Sequence, residues 1–423
     1  VALSLEETIA LVESGEAEEG LKRLKGLENS LHDEEKFLLA DKYYEWGLPD
    51  QALRLLEDLH LLYPHETDIS LLMAEAYIDL EQEDEAISIL ESVQPEDQAY
   101  AQALLLQADL YQLQGLHEVA EKKLKEAKKI LPQEPLLDFA LGEFYYHSGD
   151  DKTAIPYYER AAEAGTAFAG IDVQQRLADA LSGVGEFEAA LPYYEKTVKE
   201  KEDLHSLFGY GLAAMKAGEN KTAVLQFEKL KELDPSFTSV YLPLAKAYEA
   251  EEMLAESMET ALAGVREDEF NKDLYLFAGK ISLKNHLPDQ AADLLREAAA
   301  MDPGHAEAVI TLANIYLQRG QYEEIIDCLT EVMKFDEEDP QYFWLLGKSY
   351  NETEQYSLAS DYYERAYKFY KDDTEFLEEY ARFLIEEGNR PKAIQLCKEI
   401  LVIEPAHVEI ESLLMQLEDE INR

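Results

Sequence analysis

The chain has 423 residues and a formal net charge of −51, with 89 acidic side chains against 38 lysines and arginines. That excess of acid excludes the basic footprint that nucleic acid requires and disfavours anionic membrane surfaces. Hydrophobic residues make up 47% of the chain, so a large core can be buried, but at this length one compact centre gives way to several domains or to lengthwise repetition.

The N-terminal stretch, Val1 to Glu7, reads as an acidic helix start rather than a signal peptide. From there small residues recur about every 34 positions. They are Ala40, Ala74, Ala108, Gly142, Ala178, Gly211, Ala245, Gly279, Ala313, Gly347 and Ala381. A small side chain at a fixed place lets two packed helices approach closely. Twelve residues further on stand Ala52, Ala86, Ala120, Ala154, Ala190, Ala223, Ser257, Ala291, Ile325, Ala359 and Ala393. Ser257 and Ile325 break the alanine rule, and Ile325 is expected to overpack its surroundings unless its neighbours are smaller. Tyr43, Tyr77, Tyr111, Tyr145, Tyr248, Tyr316 and Tyr350 form an aromatic column that fills the gaps beside the small residues.

Between the two small columns lies a turn. Gly47, Gly115, Gly149, Gly185, Gly218, Gly320 and Gly388 end first helices. Pro49, Pro288 and Pro391 open second helices, where a missing N–H costs nothing. Pro156 and Pro192 fall about a turn later and predict local distortion. Pro64, Pro132, Pro235, Pro303 and Pro405 stop second helices. The spacing predicts twelve helix pairs starting near residues 1, 33, 67, 101, 135, 171, 204, 238, 272, 306, 340 and 374 and filling 1–407. An excess of two residues around Ala169-Gly170 reads as a loop. The segment 408–423 reads as a capping helix with an apolar stripe of Ile410, Leu413, Leu414, Leu417 and Ile421 and an otherwise polar surface.

This pattern of small residue, tyrosine, glycine turn, alanine and proline resembles the tetratricopeptide repeat (TPR) family over nearly the whole chain. Segments such as YYEWG at 43–47, ADLYQLQGL at 108–116 and FGYG at 208–211 resemble the YpiA-type TPR proteins of Gram-positive spore-forming bacteria. The resemblance implies an all-α, right-handed superhelical solenoid with first helices on the concave side, in a cytoplasmic, stand-alone protein. Two cysteines, Cys328 and Cys397, fit a reducing cytoplasmic setting and no disulfide framework. No apolar run approaches the ~20 residues of a membrane span.

Motifs that carry chemistry are not found. Gly347-Lys348-Ser349 has the tail of a phosphate-binding loop without its upstream glycine. The nine histidines form no HExxH and no metal spacing with cysteine. The cysteines read as small buried hydrophobes. The basic run Lys122, Lys123, Lys125, Lys128 and Lys129 reads as a solvated face. The reading is therefore a non-enzymatic protein without cofactor or metal.

The family resemblance implies that a ligand meets positions 2, 5, 9, 12 and 13 of each repeat. Position 5 is mostly apolar and includes Phe37, Phe139, Phe208 and Trp344. Position 9 changes sign along the chain: Asp41, Glu75, Asp109, Glu143 and Asp179, then Leu212, then Lys246, Lys280, Asn314, Lys348 and Arg382. This predicts a dipolar groove, acidic first and cationic later. Lys280, Lys284, Asn314, Lys348 and Arg382 resemble in type the TPR clamp that holds a terminal carboxylate, without its full residue set. The expected function is a scaffold binding a peptide or partner protein. The alternative is a peptide-gated regulator acting on an effector through a change of superhelix shape. Neither nucleic acid nor membrane insertion is expected, and a homo-oligomer is compatible with the sequence.

Overall fold

The structure, a computed structural model, describes residues 4–165, 167–168, 170–335 and 339–421. Among them are twenty-five α-helices and one two-stranded ladder. The chain divides into two compact units, Val1–Glu202 and Asp203–Arg423.

Unit 1 holds six helix pairs. They are α1 (Leu5–Glu13) with α2 (Ala17–Leu27), α3 (Asp33–Glu45) with α4 (Pro49–Leu62), and α5 (Thr67–Asp79) with α6 (Glu83–Glu91). Then come α7 (Tyr100–Leu113) with α8 (His117–Ile130), α9 (Pro135–His147) with α10 (Asp151–Ala164), and α11 (Val173–Gly183) with α12 (Phe187–Glu200). Unit 2 continues with α13 (Leu204–Lys216) and α14 (Asn220–Leu233), α15 (Tyr241–Ala250) and α16 (Leu254–Glu267), and α17 (Lys272–Lys284) and α18 (Pro288–Met301). Its last pairs are α19 (Ala306–Gln318) and α20 (Tyr322–Val332), α21 (Pro340–Glu352) and α22 (Tyr356–Tyr367), and α23 (Thr374–Glu386) and α24 (Arg390–Ile403), followed by α25 (Val408–Ile421). Each helix of a pair packs on its mate, and within each unit the second helices from α4 onward pack on the next first helix.

The small columns do what close packing requires. A Cβ added to Gly142 on α9 would lie 2.6 Å from the Tyr158 ring on α10, and one added to Gly211 on α13 would lie 2.4 Å from the Phe227 ring on α14. Glycine thus stands where the facing helix offers a large ring. Ser257 is wholly buried, and its hydroxyl donates to the Ala245 carbonyl at 2.7 Å, so the departure from alanine is satisfied. Ile325 is fully buried in the unit 2 core.

The turns share one backbone solution. Gly47, Gly115, Gly149, Gly185, Gly218, Gly320 and Gly388 all have positive φ, from 65° to 84°. Where glycine is missing, Glu81, Glu252, His286 and Glu354 take the same left-handed conformation, at 58°, 61°, 59° and 58°.

Helices α10 and α12 run unbroken through Pro156 and Pro192, where local distortion was expected. Each proline is the sixth helical residue, so the lost bond frees only the carbonyl of Lys152 or Glu188, both on exposed residues that water can reach. The excess residues near Gly170 are not a plain loop. Ala167–Phe168 pairs antiparallel with Ile171–Asp172 around Gly170, and Asp172 then caps α11 by accepting from the Gln174 and Gln175 amides. Ala169 lies outside the described residues.

Helix α25 buries Ile410 and Leu417 against the end of unit 2 and ties back through Lys398–Glu418 at 2.9 Å and Arg390–Glu420 at 3.2 Å. Its outer surface is not wholly polar, because Met415 is 61% exposed. The side chain of Ile421 lies outside the described residues.

Candidate binding surfaces

In unit 1 the position-9 acids project from α3, α5, α7, α9 and α11, one per first helix. They fall into two groups. Glu143 accepts from the Tyr158 hydroxyl at 2.5 Å and pairs by charge with Arg176 Nε at 2.9 Å, with His147 Nε2 at 3.5 Å. Asp179 accepts from the Tyr194 hydroxyl at 2.6 Å. Asp41, Glu75 and Asp109, by contrast, form no ion pair or hydrogen bond with any described residue.

That isolation has electrostatic consequences. Burial, then the charges of Asp79 and Asp41, raise the Glu75 carboxyl above its ordinary value. Desolvation pushes the Asp109 carboxyl up to about 6, although more than a third of its surface meets water. Tyr44 and Asp79 join this region. Burial, then Asp79 and Glu75, push the Tyr44 hydroxyl up to about 12. Both occupy positions 12 and 13 of their repeats, and reading those columns would have found them.

At the edge of this face, a cleft of about 430 Å³ opens where α3 and α5 begin and α4 ends. Phe37, Leu59, Tyr63 and Ile69 line it together with Asp33, Glu34, Glu66 and Asp68. Phe139 was expected on the same face and is instead 5% exposed, stacked on Phe168 at 5.3 Å and tilted against Tyr158. The ladder that follows α10 brings Phe168 over it, so no ligand reaches that ring.

In unit 2 most position-9 cations are already answered. Lys280 meets Glu307 at 2.6 Å, Lys284 meets Glu249 at 2.6 Å, and Arg382 lies 3.6 Å from Glu378. Glu378 also holds His407 Nε2 at 2.6 Å. Glu379 is a hub: Lys348 Nζ donates at 2.8 Å, Trp344 Nε1 at 3.0 Å and the Tyr363 hydroxyl at 2.9 Å. Burial alone would lower the Lys348 pKa, but the Glu379 bond and charge outweigh it and the net shift is upward. Lys246 and Asn314 are exposed, and neither has an ion pair or hydrogen bond among the described residues. Leu212 is half-buried. Phe208 packs between Phe227 and Phe237, at 6.0 and 5.3 Å. Trp344 also packs edge-on against Tyr370 and Phe376.

Burial pushes the Cys328 thiol up to about 12 and raises that of Cys397, which disfavours the thiolate at both. Among the described residues no group of three metal-binding side chains gathers, and no helix is long and apolar enough to cross a membrane.

Comparison with known proteins gives a consistent family picture. The model for YpiA-like C-terminal tetratricopeptide repeats matches residues 340–407, and that for YpiA-like tetratricopeptide repeats matches 112–166. General tetratricopeptide models match 44–110, 282–348 and 176–236. The TPR repeat-containing protein YpiA of Bacillus subtilis (strain 168) is 48% identical over 419 residues, covering 99% of each chain. DnaJ homolog subfamily C member 3 of Gallus gallus is 23% identical over 330 residues, which span 70% of this chain and 61% of that protein. Among solved structures, YrrB, described as a TPR protein with an unusual peptide-binding site, has a TM-score of 0.40 at 17% identity. It covers 44% of this chain and 96% of its own.

Proposed function

The chain belongs to the YpiA family of tetratricopeptide repeat proteins, and on that premise we propose that it is a non-enzymatic interaction scaffold whose first unit receives a basic segment of a partner protein. The observation that carries this reading is the unanswered run of Asp41, Glu75 and Asp109 on three successive first helices. The charge of Asp41 already bears on Glu75, and like charges about 10 Å apart repel by roughly 0.4–1 kcal/mol. A lysine or arginine laid between them turns repulsion into attraction. The cationic side of unit 2 supports a carboxylate-binding role less well, since a partner's carboxylate would compete with Glu307, Glu249, Glu379 and Glu378 for cations they already hold.

Affinity capture from native lysate, read by mass spectrometry, tests the reading with three baits. They are the wild type, Asp41→Asn/Glu75→Gln/Asp109→Asn, and Lys280→Glu/Lys348→Glu. Partners with basic segments are expected on the first and third baits and lost from the second. Partners lost only from the third bait would replace this reading with the carboxylate clamp.

A further inference from the structure

The cleft at the start of α3 and α5 has two unlike parts. Its floor is apolar: Leu59 and Ile69 are buried, Phe37 is half-buried, and the Tyr63 ring is 42% exposed. Its rim carries Asp33, Glu34, Glu66 and Asp68, and no lysine, arginine or histidine lines it. The Tyr63 hydroxyl donates to Asp33 Oδ2 at 2.8 Å, which fixes the ring between floor and rim.

Acids in the first turns of α3 and α5 are favourable for the helices themselves, which accounts for Asp33, Glu34 and Asp68 without any ligand. It does not account for the apolar surface of Phe37 and Tyr63 left open beside them. A neutral apolar chain would cover the floor but strip water from the carboxylates. An anion would be repelled. A lysine or arginine fits both parts, its stem along Phe37 and its charged head among the carboxylates and over the Tyr63 face. A second copy of this chain carries the same −51 and is repelled overall. Phe37 and Asp41 lie one turn apart on α3, so the cleft lies next to the first acid of the unanswered run.

We infer that this cleft seats one arginine or lysine side chain of a basic partner segment. Arginine is preferred because its planar head can bond a carboxylate and stack on a ring together. The inference rests on the basic-partner reading above and adds the anchoring position.

The test uses a labelled nonapeptide of alternating arginine and alanine, and its twin with citrulline in place of arginine, titrated by fluorescence anisotropy. The wild type is expected to favour the arginine peptide by about tenfold or more. Glu34→Lys/Asp68→Lys should cost about tenfold, whereas Asp84→Lys/Glu188→Lys, an equal charge change at exposed sites elsewhere in unit 1, should cost less than about threefold. Phe37→Leu keeps the apolar floor but removes the ring, and should narrow the preference for arginine over a lysine version. Circular dichroism checks that each variant is folded. Equal losses for the cleft pair and the distant pair overturn the anchoring site, and the basic-partner reading survives if Asp41→Asn/Asp109→Asn still weakens binding. No discrimination between arginine and citrulline by the wild type overturns both. A concentration-dependent dimer in sedimentation that Glu34→Lys/Asp68→Lys abolishes would make the occupant a second copy and overturn the inference.

Discussion

Asp109 links electrostatics to a measurable response. Its folded-state carboxyl titrates near 6 rather than in the ordinary range near 4. A raised carboxylate pKa means that the folded state binds a proton more readily than the unfolded one. Its contribution to stability therefore falls as pH rises from about 4 to about 6. Asp109→Asn should remove this slope, which urea midpoints at pH 4.5, 6 and 7.5 can read; an unchanged slope would mean that water reaches the carboxyl too freely for the shift to exist. Binding of a basic segment should have the opposite sign, because the cation needs the ionised acid. Affinity should drop between pH 7.5 and 5.5 in the wild type and much less in Asp109→Asn. The Glu379 hub makes a second residue-scale case. Glu379→Ala strands Lys348, the Trp344 indole N–H and the Tyr363 hydroxyl in a partly buried place, at a cost of about 1–3 kcal/mol. Trp344 reports it directly: in a Trp46→Phe background its emission should move to the red, and an unmoved spectrum would mean that the indole N–H finds another partner.

At the scale of the element, the turn is the part that repeats most faithfully. Glu81, Glu252, His286 and Glu354 hold the left-handed conformation that glycine adopts freely elsewhere. A residue with a Cβ gives up roughly 1–2 kcal/mol there, partly offset by glycine's larger unfolded-state entropy. Glu81→Gly, Glu252→Gly and Glu354→Gly should each stabilise by about 0.5–1 kcal/mol. The alanine versions should not, since alanine keeps the Cβ; equal gains from alanine would point to relief of negative charge instead. Gly142→Ala should do the reverse, costing about 1–3 kcal/mol as Tyr158 is pushed aside. These features were legible because a repeated close approach and a repeated turn each demand one residue type at one spacing. The left-handed turns without glycine were not, because glutamate at 81, 252 and 354 gives no sign of its backbone. The two-residue strands were equally hidden, being too short to show alternation. For the binding face, the sequence placed the charged residues but not their partners. Lys280, Lys284 and Lys348 are answered by Glu307, Glu249 and Glu379, which sit 27 to 35 residues away and in different columns. Phe139 was misread for a similar reason, as its cover comes from Phe168 in the inserted ladder.

Over the whole molecule, charge sets folding and binding against each other. With 38 basic side chains against 89 acidic ones, internal pairing leaves most of the negative charge unanswered however the pairs are arranged. Like charges repel over a Debye length of roughly 30 Å at 0.01 M salt and about 8 Å at physiological ionic strength. Added salt weakens the exposed pairs, such as Lys280–Glu307 and Lys284–Glu249, but exposed pairs contribute only about 0–1 kcal/mol each. The repulsion acts on all surfaces at once and outweighs them. Raising sodium chloride from about 20 to about 300 mM should therefore raise the thermal midpoint by several degrees, on the order of 2–4 °C for each kcal/mol of relief. The same salt should loosen a basic partner, because the attraction of Asp41, Glu75 and Asp109 is screened together with their repulsion. Melting curves followed at 222 nm and anisotropy titrations in the same buffers would show the two trends crossing. A midpoint that falls with salt would mean that the ion pairs outweigh the excess acid. A partner that holds equally well in both buffers would be bound through apolar contact rather than through the acidic first helices.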